Sequence, residues 1–559
     1  MKIMKLGLLM ALLTFSFKNT YSQKLKTGPQ VLSFHSDVDD TEQPYAIYIP
    51  KSFSEKKTYP LVVMLHGAGS NHRLALKRVF GKSNQPGEND VEASLYFPKW
   101  KDVEYIVVSP LARGTMGYQG VAEKDVWDMI ADVKKRFSID EDRTYLTGLS
   151  MGGGGTMWLG LTRPDFWAAI APVCPAPPAA TEIYLENATN LNVHFFQGTD
   201  DPAVKVEGTR KWVEDFKKVG AKVQYAEYPG VKHDSWVNAY KDEFIFSWFN
   251  KFVRDKYPSK VKLSTAQLKY NKAYWVEIVD KEVGKTAKVN AHFKNKNQLD
   301  ITTENVNVLS IDILDHPNFN KKSAMQLNID GQNISVFGLA NGQVLLKNND
   351  RWAVGKRPEM GSIKNQTTEG PMSEIIADRQ IYVYGTEGNP AKEELEKRRK
   401  IAEQAADWSF YRGDFLGRVM VFPRVLSDKE VRPSDIERSN LILFGDASTN
   451  SVIAKYAEKL PMSLKKGNEA SLTYIYPNGK RYILINSGLP FWEIPDNATG
   501  LAALLRSSSK MGVLQGLGDW VLYDSAINNV IGTGLFDKNW QLTDKDKELL
   551  KNTGKVDLK

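Results

Sequence analysis

Gly148-Leu149-Ser150-Met151-Gly152-Gly153 is the stretch of this 559-residue chain whose residue types are best suited to covalent chemistry. An apolar strand expected at Thr144–Thr147 runs into it, and small residues (Gly153, Gly154, Gly155, Thr156) open a helix after it. A serine on such a tight strand-to-helix turn needs glycine two places before and two places after, because side chains there would collide with neighbouring backbone. The turn lifts the Ser150 hydroxyl off the sheet and sets it at a helix N-terminus, where developing negative charge is favoured. The chemistry is nucleophilic attack by Ser150; the competing reading is a glycine-rich turn without turnover.

A serine nucleophile needs a base, and the base needs an orienting acid. The chain has seven histidines, few enough for elimination. His35 and His72 are expected in loops before the nucleophile, His194 inside an apolar strand, and His292 and His316 in a later, separate region. His66 opens the turn His66-Gly67-Ala68-Gly69. That leaves His233, in Pro229-Gly230-Val231-Lys232-His233-Asp234, after the last expected core strand. For the acid, Gly198-Thr199-Asp200-Asp201-Pro202-Ala203-Val204 offers two carboxylates. Asp201 is the first choice on its Gly-x-x-Asp-x-x-Val spacing; Asp200 is the alternative and a natural loop cap. The oxyanion would be met by two backbone N–H groups, those of Met151 and Ala68, with His66 and Gly67 holding the second loop and Gly148 and Gly152 the first.

Short apolar strands (Tyr45–Ile49, Leu61–Leu65, Tyr105–Val108, Ala168–Pro172, Val193–Phe196, Val223–Tyr228) alternate with amphipathic runs over residues 30–257. Asp125 to Phe137 puts Val126, Met129, Ile130 and Val133 on one helical face. Such alternation predicts a mostly parallel α/β sheet with helices on both faces. After a polar, basic break at Pro258–Ser264, residues 265–360 turn to period-two alternation with Asp330-Gly331 and Asn341-Gly342 turns, predicting a small antiparallel β module. A linker is expected around Gly361–Pro371. Residues 372–547, with strands such as Val419–Phe422 and helices Lys392–Ala406 and Gly500–Ser508, predict a second, smaller α/β (Rossmann-like) accessory domain. Gly385-Thr386-Glu387-Gly388 lacks both the G-x-G-x-x-G pattern and a phosphate-binding lysine, so nucleotide binding is unsupported.

The order Ser, Asp, His along the chain, the elbow itself, Leu65-His66-Gly67-Ala68-Gly69, Ser109-Pro110-Leu111-Ala112-Arg113-Gly114 and Pro229-Gly230-Val231-Lys232-His233 together resemble the α/β-hydrolase fold. The likeness is to its prolyl-oligopeptidase-like and feruloyl/acetyl-xylan esterase branch, over residues ~40–257. The resemblance implies Ser150, Asp201 and His233 as a triad, with no metal and no cofactor. Gln197 stands where these enzymes often carry a structural histidine.

Lys2 and Lys5 precede an apolar run, Leu6 to Phe17, too short to span a bilayer. With Thr20 and Ser22 behind it, the segment reads as a signal peptide (residues 1–22) cut near Ser22. No cysteine follows for a lipid anchor, and Cys174 is the sole cysteine of the chain. The expected product is secreted or periplasmic, with no membrane span, no internal disulfide and no Cys-based zinc site. The formal charge of +8, smaller still without the leader lysines, is too weak to argue for nucleic acid. The partner expected is an ester-bearing substrate, a polysaccharide or its oligomers; the oligomeric state is left open.

The triad alone does not separate esterase from peptidase. Oligopeptidases of this lineage place a propeller ahead of the hydrolase, and no propeller-scale set of strands precedes Leu61. Ester hydrolysis, of acetyl or feruloyl groups, is therefore expected, with a serine peptidase or a silent carbohydrate-binding relative as alternatives. Trp158, Trp167, Trp236 and Tyr118 are weighed as sugar-facing aromatics, and Cys174 as a neighbour of the acyl pocket.

Overall fold

Eight strands form the sheet that positions the site: β1 (Gly28–Ser36), β2 (Thr41–Ile49), β3 (Tyr59–Leu65), β4 (Ile106–Pro110), β5 (Ile139–Leu149), β6 (Ala169–Val173), β7 (Asn192–Gly198) and β8 (Lys222–Tyr228). The computed structural model describes residues 26–337, 343–359, 361, 363–411, 417–494 and 509–559. The expected signal peptide, the Asn341-Gly342 turn and the Gly500–Ser508 helix lie outside the described residues. Spatial order is β1-β2-β4-β3-β5-β6-β7-β8. β1 pairs antiparallel with β2 and β2 with β4; every pairing from β4 to β8 is parallel.

Central strands are apolar throughout because both faces are covered; β3, β4 and β6 are buried at every position. On one face lie α2 (Val121–Arg136), α3 (Met151–Thr162) and α4 (Val206–Val219); on the other lie α1 (His72–Val79) and α5 (Phe244–Phe249). α2 turns Val126, Met129, Ile130 and Val133 inward and starts four residues ahead of the predicted Asp125. His35 lies on β1 and His72 opens α1, rather than standing in loops.

His194 sits on β7 against Phe196 (centroids 4.0 Å apart) and Trp248, with no partner for its Nδ1 among the described residues. Burial, helped by Lys251, lowers its pKa to about 4. The unfolded chain protonates this ring near pH 6.5, the folded one only near 4. As pH falls below 6.5 the unfolded state takes up a proton that the folded state refuses, and stability drops until about pH 4. His194→Phe should therefore narrow the stability gap between pH 8 and pH 5 by roughly 2 kcal/mol, read by urea denaturation at both pH values.

Downstream, two five-stranded sheets occupy residues 260–356, and the module expected to be antiparallel contains one parallel pairing, Gln298–Glu304 with Met325–Ile329. The break expected at Pro258–Ser264 carries the strand Lys260–Thr265, which pairs with Ala287–Asn295. Asp330 and Gly331, both with positive φ, make the two-residue hairpin turn that their types predict. A seven-stranded sheet follows. Its strands Arg424–Ser427, Gln380–Tyr384, Asn440–Phe444 and Arg481–Ser487 are parallel, but Ala470–Asn478, Trp520–Asp524 and Asn529–Gly534 are antiparallel. This is not the wholly parallel sheet of a Rossmann-like arrangement. A two-residue connection, Gly479-Lys480, joins neighbouring strands there, and parallel strands need a much longer crossover. The strand expected at Val419–Phe422 is reduced to Arg418–Val419 and does not join this sheet; Val419 bridges to Gly114 of the first domain.

Candidate active site

Ser150 caps α3 with φ 55° and ψ −117°, a conformation that costs a non-glycine residue about 1–3 kcal/mol. Neighbouring backbone enforces it. A Cβ on Gly152 would stand 2.2 Å from the Leu65 carbonyl oxygen, and one on Gly148 2.3 Å from that of Gly152. The backbone of Ser150 is pinned by its N–H to the Val173 carbonyl (2.9 Å) and by the Ala176 N–H to its own carbonyl (3.1 Å). The chain cannot relax here without pulling β6 or α3 apart.

β7 and β8 deliver the other two side chains from the loops at their carboxyl ends. His233 Nε2 lies 3.0 Å from Ser150 Oγ, and His233 Nδ1 lies 2.8 Å from Asp201 Oδ2. The Asp201 side chain is fully buried and that of His233 is 23% exposed. Asp201 Oδ1 accepts the N–H groups of Ala203 (2.8 Å) and Val204 (2.9 Å), while Gln197 Nε2 donates to Oδ2 (3.1 Å). Burial on its own would raise the Asp201 pKa. The hydrogen bonds from His233 and from the Val204 and Ala203 N–H groups outweigh it, and the carboxyl stays below its ordinary value. Gln197 is in turn fixed by Thr209 and the Val204 carbonyl. Gln197 is thus a clamp on the acid. Asp200 is exposed and turns to the Thr199 hydroxyl.

Met151 begins α3, so its N–H is among those a helix cannot satisfy internally. No side chain caps this end, and neither the Met151 nor the Ala68 N–H has a backbone acceptor among the described residues. His66 is completely buried, with Nδ1 2.8 Å from the Gly67 carbonyl and Nε2 2.8 Å from that of Leu111. Burial lowers its pKa. Gly67 packs so closely on the elbow that a Cβ would sit 2.8 Å from the Leu149 side chain. Sequence reasoning did not single out Thr115, whose Oγ1 accepts the Gly69 N–H (3.0 Å) and so holds the same turn. A lone threonine forty-six residues away offers no spacing signal.

Cys174, weighed as a neighbour of the acyl pocket, is completely buried within 4.8 Å of the polar atoms of Asp201 and His233. Burial pushes its thiol up to about 12. Of the four aromatics weighed as sugar-facing, Trp158, Trp167 and Tyr118 are buried; Trp236 is half-buried, its ring perpendicular to His233 at 5.6 Å.

This sheet order and strand-turn-helix elbow define an α/β-hydrolase domain, and residues 39–246 match the family model described as "Putative esterase". The likeness to α/β-hydrolase serine esterases extends over that part of the chain. A thermostable esterase of known structure is 27% identical with a TM-score of 0.33; the match covers 40% of this chain and 63% of that one, so the chain spans less than two thirds of its length. The ferulic acid esterase of Anaeromyces mucronatus, solved with ferulic acid, is 19% identical (TM-score 0.31) over 39% of this chain and 89% of that chain. An acylaminoacyl peptidase of Pyrococcus horikoshii is 15% identical (TM-score 0.31) over 42% of this chain and 43% of that chain. Among the described residues no helix is long and apolar enough to cross a membrane.

Proposed function

We propose that the chain is an exported serine hydrolase that cleaves carboxylic esters, removing acetyl or feruloyl groups from a polysaccharide or its oligomers. The observation that carries the reading is the continuous hydrogen-bonded series from Ser150 Oγ through the His233 ring to Asp201. In this reading Ser150 Oγ attacks the ester carbonyl carbon as His233 Nε2 takes its proton. Asp201 holds the ring so that Nδ1 carries hydrogen and Nε2 is free to accept. Charge on the carbonyl oxygen is met by the N–H groups of Met151 and Ala68, aided by the N-terminus of α3. Collapse expels the alcohol, protonated by His233, and leaves an acyl-serine. Water, deprotonated at the same ring, then releases the acid and restores Ser150.

Turnover of p-nitrophenyl acetate set against a prolyl-p-nitroanilide tests the reaction class. An ester is the easier bond to cleave by acyl transfer because an alkoxide leaves more readily than an amide nitrogen, so turnover is expected on the acetate, with a fluorophosphonate labelling Ser150. Appreciable turnover of the anilide alone would make the protein a peptidase. No turnover and no labelling would make it a silent relative.

A further inference from the structure

A chamber of about 760 Å³ reaches Met151, the residue after the nucleophile, and only part of it belongs to the first domain. Met151, Gly155 and Trp158 of α3 form one wall, with Pro177 and Pro178 of the loop after β6. The opposite wall comes from beyond residue 260: Val283 from the β module, and Lys364, Ser373, Trp408 and Asp519 from the last part of the chain. The volume lies within the range of about 300–1,000 Å³ typical of ligand pockets.

The last part of the chain is also built against the loops of the first domain that hold the active centre. The backbone of residues 417–420 runs against the turn expected to meet the oxyanion, so that a Cβ on Gly417 would stand 3.2 Å from the Cα of Gly69. The Thr115 N–H donates to the Arg418 carbonyl (3.1 Å), and the Met420 N–H to that of Arg113 (3.2 Å). Arg113 is completely buried; it ion-pairs with Asp39 (2.6 Å) and Asp125 (2.7 Å), and Asp39 also accepts the Phe422 N–H (2.9 Å). Opening this seam would take the Phe422 N–H from the buried Asp39 carboxylate and the Met420 carbonyl from the Arg113 guanidinium (3.4 Å).

The lining says what the chamber suits. Trp158 and Tyr270 give it aromatic walls, both held from beneath by Glu123 (3.0 and 2.7 Å). Each of its three lysines faces a carboxylate: Lys281 with Glu369 (3.2 Å), Lys269 with Glu374 (3.7 Å), and Lys364 with Asp519. A ligand carboxylate approaching any of these lysines would come up against the like charge of Glu369, Glu374 or Asp519. Hydroxyl groups can accept from the ammonium groups and donate to the carboxylates while the pairs stay intact. A second cavity of about 930 Å³ shares Lys269 and Glu374 with the first.

We propose that this chamber is the alcohol-side subsite of the same active centre and takes uncharged glycosyl units, so that the chain beyond residue 260 sets substrate choice. The proposal rests on the ester-hydrolase reading for its link to turnover, and its test separates the two. Val283→Trp and Ser373→Trp, at half-buried wall positions, fill the chamber. In each, the ratio of kcat/KM on acetylated xylotetraose to kcat/KM on p-nitrophenyl acetate should fall about tenfold or more. Fluorophosphonate labelling of Ser150 identifies variants whose fold is intact. Independently, Ser150→Ala should bind unesterified xylotetraose in calorimetry, more tightly than tetragalacturonate, and adding Val283→Trp should abolish that binding. Ratios within twofold of the parent, no binding of xylotetraose, or tighter binding of tetragalacturonate would each overturn the proposal. Binding that Val283→Trp abolishes, in a protein that cleaves no ester, would uphold the chamber and sink the hydrolase reading instead.

Discussion

Ser150→Ala is expected to lower kcat on p-nitrophenyl acetate by about 10⁶-fold, to the rate that binding and oxyanion stabilisation sustain without a nucleophile. The same change should cost no stability. Ser150 is half-buried, its side chain makes no cap to α3, and among the described residues its Oγ bonds to the His233 ring alone. The strained φ of 55° is imposed by the Val173 and Ala176 backbone contacts, which alanine keeps. Loss of turnover with an unchanged melting temperature would separate chemistry from folding. A variant retaining more than about a hundredth of the parent rate would mean that water or another side chain attacks the ester, and the acyl-serine scheme would fall.

Why this residue is legible in the sequence, while the seam between residues 113–115 and 418–420 is not, has a physical answer. The elbow needs glycine at 148 and 152 because backbone oxygens lie within 2.3 Å of where a Cβ would be, and that demand writes itself into residue types. Continuous apolar runs announce β3, β4 and β6 for the same kind of reason, since both faces of the sheet are covered. β1 escapes such a reading because it is an edge strand, mostly half-buried, with no run that burial dictates. The seam at Arg418–Met420 is made by backbone N–H and carbonyl groups, which every residue carries. Even the buried Arg113 gives no signal of its own, because its partners Asp39 and Asp125 sit at spacings set only by the fold. Chemistry that depends on particular side chains is readable from the sequence; a seam made by main chain across three hundred residues is not.

Asp201→Asn should reduce kcat at neutral pH by about 10⁴-fold, while Asp200→Asn stays within a few-fold of the parent. Both Asp201 oxygens are committed, one to two backbone N–H groups and the other to His233 Nδ1 and Gln197 Nε2. An asparagine must present its NH₂ to one of these two sets. Turned toward His233, it opposes the Gln197 amide and forces the ring into the tautomer with hydrogen on Nε2. That nitrogen then donates to Ser150 and accepts no proton. Turned the other way, it meets the Ala203 and Val204 N–H groups and leaves two buried donors unpaired, at about 1–3 kcal/mol each. Either orientation costs, and the first removes the base outright. Asp200, exposed and bonded to Thr199, has no such commitment. Gln197→Leu should fall between the two, because it frees the acid on one side only. If Asp200→Asn proved the more damaging change in steady-state kinetics, the orienting carboxylate would have to be reassigned to it.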